Sequence, residues 1–150
     1  MTRALSRVLR HERGAVLIEA AFVAPILALL GLGAFQTSQA VARQHELQTG
    51  ADDAASMALA GWNDESTQVT ALKSVLKSTL NLTDAQVTIT HKYRCGTTAA
   101  YVDAKTSCAV NEIITTYLRI ALTDTYTPAW SKFGFGSPLN YNVTRTVVLS

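Results

Sequence analysis

Hydrophobic and polar positions fall into three regimes along this chain. From Ala15 to Phe35 almost every residue is apolar, and Glu19 is the one charge in the run. At 1.5 Å per residue this run makes about 31 Å of helix, which matches the ~30 Å hydrocarbon core of a bilayer. Beyond Phe35 the pattern becomes one-sided. Val41, Leu47, Ala51, Ala54, Ala55, Ala58, Leu59 and Trp62 recur at steps of mostly three and four, the signature of an amphipathic helix. The spacing predicts a single long helix over about 15–62, interrupted only by Gly50 at a cost of ~1 kcal/mol. Gly61 and Asn63-Asp64-Glu65-Ser66 mark its end. A second helix is predicted over about 65–80, with Val69, Leu72, Val75, Leu76 and Leu80 on one stripe, Lys73 and Lys77 opposite, and Asn81 as the stop.

The period then switches to two. Val87-Thr-Ile89-Thr-His91-Lys-Tyr93, Ile114-Thr-Thr-Tyr-Leu118-Arg-Ile120-Ala-Leu122 and Tyr141-Asn-Val143-Thr-Arg145-Thr-Val147-Val-Leu149 alternate as half-buried strands do. A cysteine-bounded loop, 95–108, separates the first two. A breaker-rich stretch from Pro128 to Pro138, with Gly134 and Gly136, separates the last two. The order helix, helix, strand, strand, strand predicts an α+β fold: a long N-terminal transmembrane and amphipathic helix, then a second helix packed on a small three-stranded antiparallel sheet. Three regions are expected: a basic leader over 1–14, a transmembrane helix over 15–36, and an α+β head over 37–150 that includes the continuation of the long helix.

Charge sharpens this division. Arg3, Arg7, Arg10 and Arg13 against Glu12 give the leader +3, so the formal total of +2 leaves −1 for residues 15–150. The basic pI therefore belongs to the leader and does not advertise a nucleic-acid surface. Arginines just before a span place that end in the cytoplasm by the positive-inside rule. The head is then expected across the bacterial inner membrane, in the periplasm, where disulfides persist. Cys95 and Cys108, the two cysteines, both lie in that exported part. Their even count favours one disulfide, worth about 3 kcal/mol in the chain-entropy model; two free thiols are the alternative.

Glu19 is the most informative residue. A carboxylate in a spanning helix costs roughly 2.5–3.5 kcal/mol on insertion scales and marks a functional site by default. It stands five residues after Gly14, which ends the arginine-rich leader, and six before Pro25, a residue that spanning helices tolerate with local bending.

The stretch Arg13-Gly14-Ala-Val-Leu-Ile-Glu19-Ala-Ala-Phe-Val-Ala-Pro25 has the layout of a prepilin. It resembles the TadE-like minor pilins of the tight-adherence (Tad) pilus, a type IV pilus subclass. The resemblance covers the first 60 residues well and the remainder in architecture, with a strand ending in Leu122-Thr-Asp-Thr-Tyr-Thr-Pro128 and a last strand at the C-terminus. Ala20 stands where Flp-type major pilins carry tyrosine, which points away from the major pilin, as does the chain's length. The resemblance implies cleavage after Gly14 by a prepilin peptidase, leaving Ala15 as the new N-terminus. It also implies that Glu19 pairs with the N-terminal amine of a neighbouring subunit and so fixes axial register. The implied partners are the prepilin peptidase, other minor pilins, the major Flp pilin and the inner-membrane assembly platform. The implied role is initiation or capping of an adhesion pilus.

Other readings compete at each point. Glu19 placed one turn into the span could snorkel to the interface. The apolar run could be a secretory signal with Ser38-Gln39-Ala40 as the cleavage site, although it is longer than an h-region and contains a glutamate. It could be a plain anchor for a periplasmic binding module unrelated to pili. His91 with Cys95 and Cys108 makes a poor zinc site, lacking a close-spaced cysteine pair. No hydrolase, metalloprotease or phosphate-loop motif is present, so no catalytic role and no cofactor is expected. Asp52-Asp53 and Asp64-Glu65 read as solvated helix positions. Phe133 and Phe135, in Phe133-Gly-Phe135-Gly, form a candidate partner-contact loop.

Overall fold

The computed structural model describes residues 12–61, 66–97, 100–134 and 136–149. Helix α1 runs Glu12–Gly61 and helix α2 Ser66–Leu80. Three strands follow, β1 Val87–Cys95, β2 Ile114–Tyr126 and β3 Leu139–Val148. Short 3-10 turns occupy Lys105–Ser107 and Ala129–Phe133. The sheet is an antiparallel meander in the order β1-β2-β3, so the expected α+β arrangement is what the chain adopts. α1 begins three residues earlier than the spacing predicts, and Trp62 lies outside the described residues. The chain divides into two compact units, residues 1–39 and 40–150.

In the second unit the core lies between the helices and one face of the sheet. Leu47, Ala51, Ala54, Ala55 and Ala58 of α1 are buried with Leu72, Leu76 and Leu80 of α2 and with Val87, Leu118, Ile120, Leu122 and Val143 of the strands. Burying each of the larger side chains contributes about 1.5–3 kcal/mol. The alanines keep that face of α1 thin, so neighbouring elements approach closely. Val41, Leu59 and Val75, expected on the buried stripes, are instead exposed. A helix face contacted over an arc of about 100° has no room for residues at its margins.

Gly50 has a specific use. A Cβ there would lie 2.7 Å from Leu80 Cδ1 and 2.9 Å from its Cδ2, and Leu80 is itself buried. The missing side chain lets the end of α2 close onto α1. α2 stops at Asn81, which takes the left-handed conformation with φ 53°, and the Leu82 amide donates back to the Lys77 carbonyl at 3.0 Å. That is a Schellman-type end.

Charged groups close the margins of this core. Arg43 of α1 donates from Nε to Asp124 of β2 at 2.7 Å, from Nη1 to Glu46 at 2.8 Å, and from Nη2 to the Leu80 carbonyl at 2.9 Å. Gln86 donates to the other Asp124 oxygen at 2.8 Å. One guanidinium thus ties α1 to a terminal carbonyl of α2 and to the central strand. Burial lowers the basicity of Arg43, but the hydrogen bonds to Glu46 and Asp124 outweigh it and raise its pKa. Tyr141 of β3 donates to the Ala40 carbonyl at 2.9 Å. Asp52, read as a solvated position, is exposed and also takes a two-pronged ion pair from Arg145 of β3, whose hydrogen bond holds its carboxyl below the ordinary range.

Cys95 and Cys108 form the expected disulfide, with Cα atoms 5.3 Å apart. Their loop folds back along β1, where Tyr93 and Val102 exchange both backbone hydrogen bonds at 2.9 and 2.8 Å. This covers part of the open edge of β1.

Two outcomes test this account. Arg43→Met is expected to destabilise the head by about 2–3 kcal/mol, because Asp124 loses a charge-assisted partner at a half-buried site. Arg43→Met with Asp124→Asn should cost less than the two singly, and strict additivity in denaturant unfolding would show no coupling. Replacing both cysteines by serine should cost about 3 kcal/mol; an unchanged unfolding midpoint would contradict a constraining role for the loop closure.

Candidate assembly site

In the first unit the described residues are those of α1 alone. Its large apolar side chains are exposed on all sides, including Val16, Leu17, Ile18, Phe22, Ile26, Leu30 and Phe35, with Leu17 at 70% and Phe22 at 73% exposure. None of the most apolar 18-residue window is buried within the chain. A core helix would hide one face. This helix hides none, and its length and composition suffice to cross a membrane. Such a surface suits lipid or other apolar helices.

Glu19 sits in that segment and is exposed. Among the described residues it makes no hydrogen bond and no ion pair. Gly14 and Ala15 lie inside the first turn of α1, with their surroundings outside the described side chains. Ala15 and Glu19 are four residues apart on a helix, so they stack one turn above the other on one face. Pro25 lies inside α1, where it has no N–H to give the carbonyl of Ala21. Thr37 back-bonds to the Gly33 carbonyl at 2.9 Å, a contact that relieves a helix interior of one unpaired hydroxyl.

Other expected positions do not gather into a site with Glu19. The sulfurs of Cys95 and Cys108 are bonded to each other. Glu112 lies close enough to form a three-residue cluster with them, but a disulfide offers no thiolate to a metal. His91 lies on β1 with its ring stacked 6.5 Å from that of Tyr93. The partner-loop expectation falls mostly outside the description: Phe135 and the side chain of Phe133 are outside the described residues, while Gly134 and Gly136 take positive φ of 81° and 76°.

Sequence reasoning missed the charged anchors. A signal for them existed: Asp124 and Arg145 occupy the same alternation phase as the buried Leu118-Ile120-Leu122 and Val143. Charges in phase with an apolar strand face need partners.

No curated protein and no solved structure matches this chain. Residues 14–56 match the family described as TadE-like protein; α2 and all three strands lie beyond the matched stretch. The match opens on Gly14 and takes in Glu19, the whole exposed apolar segment and most of the alanine-lined face. Over this segment the chain is similar to TadE-like proteins, which implies a pilin-like protein associated with the Tad pilus system.

Proposed function

We propose that this chain is a minor pilin, or pseudopilin, of a Tad-type adhesion pilus. It sits in the bacterial inner membrane with its N-terminus cytoplasmic and its α+β head periplasmic. A prepilin peptidase cuts it after Gly14, and it then takes part in initiating or capping the fibre. The observation that carries this reading is a fully exposed apolar helix holding one unpartnered carboxylate five residues after a glycine, where the TadE-like segment begins.

The physics of the cut supports it. A protease binds its substrate extended, and the Gly14–Ala15 bond lies in the first turn of α1, where helices fray. Glycine weakens that turn by about 1 kcal/mol relative to alanine and leaves the bond unshielded. Cleavage turns Ala15 into a cationic N-terminus. Glu19, formerly in the helix interior, then lies at the positive end of the helix dipole, which favours a carboxylate. Its own amine is one turn away, and so is the amine of a neighbour docked in register. Two charges that are costly alone in a low-dielectric environment cost much less together. The carboxylate thereby selects one axial alignment between helices. The partners in this reading are the prepilin peptidase, sibling minor pilins, the major Flp pilin and the inner-membrane assembly platform. A secretory signal cut after Ala40 would divide the TadE-like segment in two, which counts against it.

Intact-mass measurement of the protein from its native host tests the cut. The mature form should start at Ala15, about 1.7 kDa lighter than the full chain of 16.1 kDa. Gly14→Leu should leave the full mass in the membrane; a wild-type chain that keeps its arginines would refute processing. Glu19→Ala should insert and be cut normally yet fail to join the fibre. Undiminished fibres with that variant incorporated would overturn the pairing role.

A further inference from the structure

The face of the sheet turned away from the helices carries a second site, independent of the pilus reading. Alternation and register set its composition. The outward positions are threonine, asparagine, tyrosine, alanine, valine and three cations, Lys92, Arg94 and Arg119, and the strands place no acidic residue among these outward positions. Arg119 stands on the central strand, with Thr90 opposite it on β1 and Thr146 opposite it on β3. Residues 15–150 carry a net −1, so this face is a local concentration of positive charge on a mildly negative background.

The face is not flat. Lys92, Tyr101, Arg119, Thr144 and Thr146 line an open depression of about 270 Å³. Tyr101 forms its wall and comes from the disulfide-closed loop. The Tyr93–Val102 backbone pair fixes its neighbour in the chain. Its ring meets Tyr117 edge-on at 5.1 Å, and the Arg94 guanidinium lies 5.9 Å from its centroid. Tyr101 nevertheless stays half exposed. The Lys92 ammonium is partly neutralised by an ion pair with Asp103. Arg119 makes no hydrogen bond or ion pair with any described residue, so its fork of donors is available.

We infer that this depression binds an acidic saccharide, with Arg119 taking the carboxylate of one sugar unit and Tyr101, Thr144 and Thr146 bounding its ring. A guanidinium offers two parallel N–H groups that match a carboxylate. Threonine hydroxyls both donate and accept, as sugar hydroxyls do. The volume sits just below the range for drug-sized ligands, about 300–1,000 Å³, and suits a single ring. Nucleic acid fits less well: strands are held by several cations tracking successive phosphates and by several stacking platforms. Here one unpaired cation and one exposed ring stand among hydroxyls.

The test is calorimetric titration of the full chain, disulfide intact, in detergent micelles. The probes are trigalacturonate, the neutral galactose trimer and a short DNA duplex. Saturable binding of the acid at one site per chain is expected, at least about ten-fold tighter than the neutral trimer, the worth of one charge-assisted pair. Arg119→Gln should weaken it by about the same factor while the melting temperature stays put, because Arg119 supports nothing inside the fold. Thr146→Val should weaken it by a few-fold. Failure of the acid to saturate, equal binding of the neutral trimer, wild-type affinity in Arg119→Gln, or displacement of the saccharide by the duplex would each overturn the inference.

Discussion

The small-residue face that α1 turns to the core is the constraint on which the head depends. Leu47, Ala51, Ala54, Ala55 and Ala58 present a face with little side-chain volume, and Gly50 removes the last obstacle to Leu80. Surfaces that approach this closely exclude water from their margins. Polar groups at those margins must then find partners within the protein. Arg43 meets that demand at one margin by satisfying an α2 carbonyl and a β2 carboxylate together. Asp52 and Arg145 face each other at another, more exposed margin, where an ion pair adds little energy.

The same helix obeys the opposite rule in the first unit. There it is broad, leucine-rich and exposed on every side, and it contributes no core of its own. Its apolar surface is of the kind that lipid or other helices cover. Glu19 is the one charge in the run from Ala15 to Phe35, and among the described residues it has no hydrogen-bond or ion-pair partner. The two stretches of α1 therefore divide the labour: one is completed by the sheet that follows it, the other is completed from outside.

Much of this was legible in the sequence, for a physical reason. Hydrophobic period depends on backbone geometry alone, so the change from continuous to helical to alternating patterning locates the long helix, the second helix and all three strands. The disulfide followed from two cysteines in a region expected to be exported. Single-sequence pattern could not say which stripe residues reach the interior, because that depends on how wide a face the partner covers; Val41 and Leu59 turned out to lie beyond it. It also could not pair Arg43 with Asp124, since 81 residues separate them and only the folded packing brings them together. The outward cationic face was hidden for a related cause. Lys92, Arg94 and Arg119 look scattered along the chain, and antiparallel register is what assembles them.

The loop that folds back on β1 has a topological effect beyond holding Tyr101. Strands with bare rims recruit other strands, and a sheet with two bare rims can propagate side by side without limit. Tyr93 and Val102 use up backbone groups on the β1 rim, while β3 has no described strand on its far side. Part of the β1 rim is thereby closed to an incoming strand, while the β3 rim stays open among the described residues.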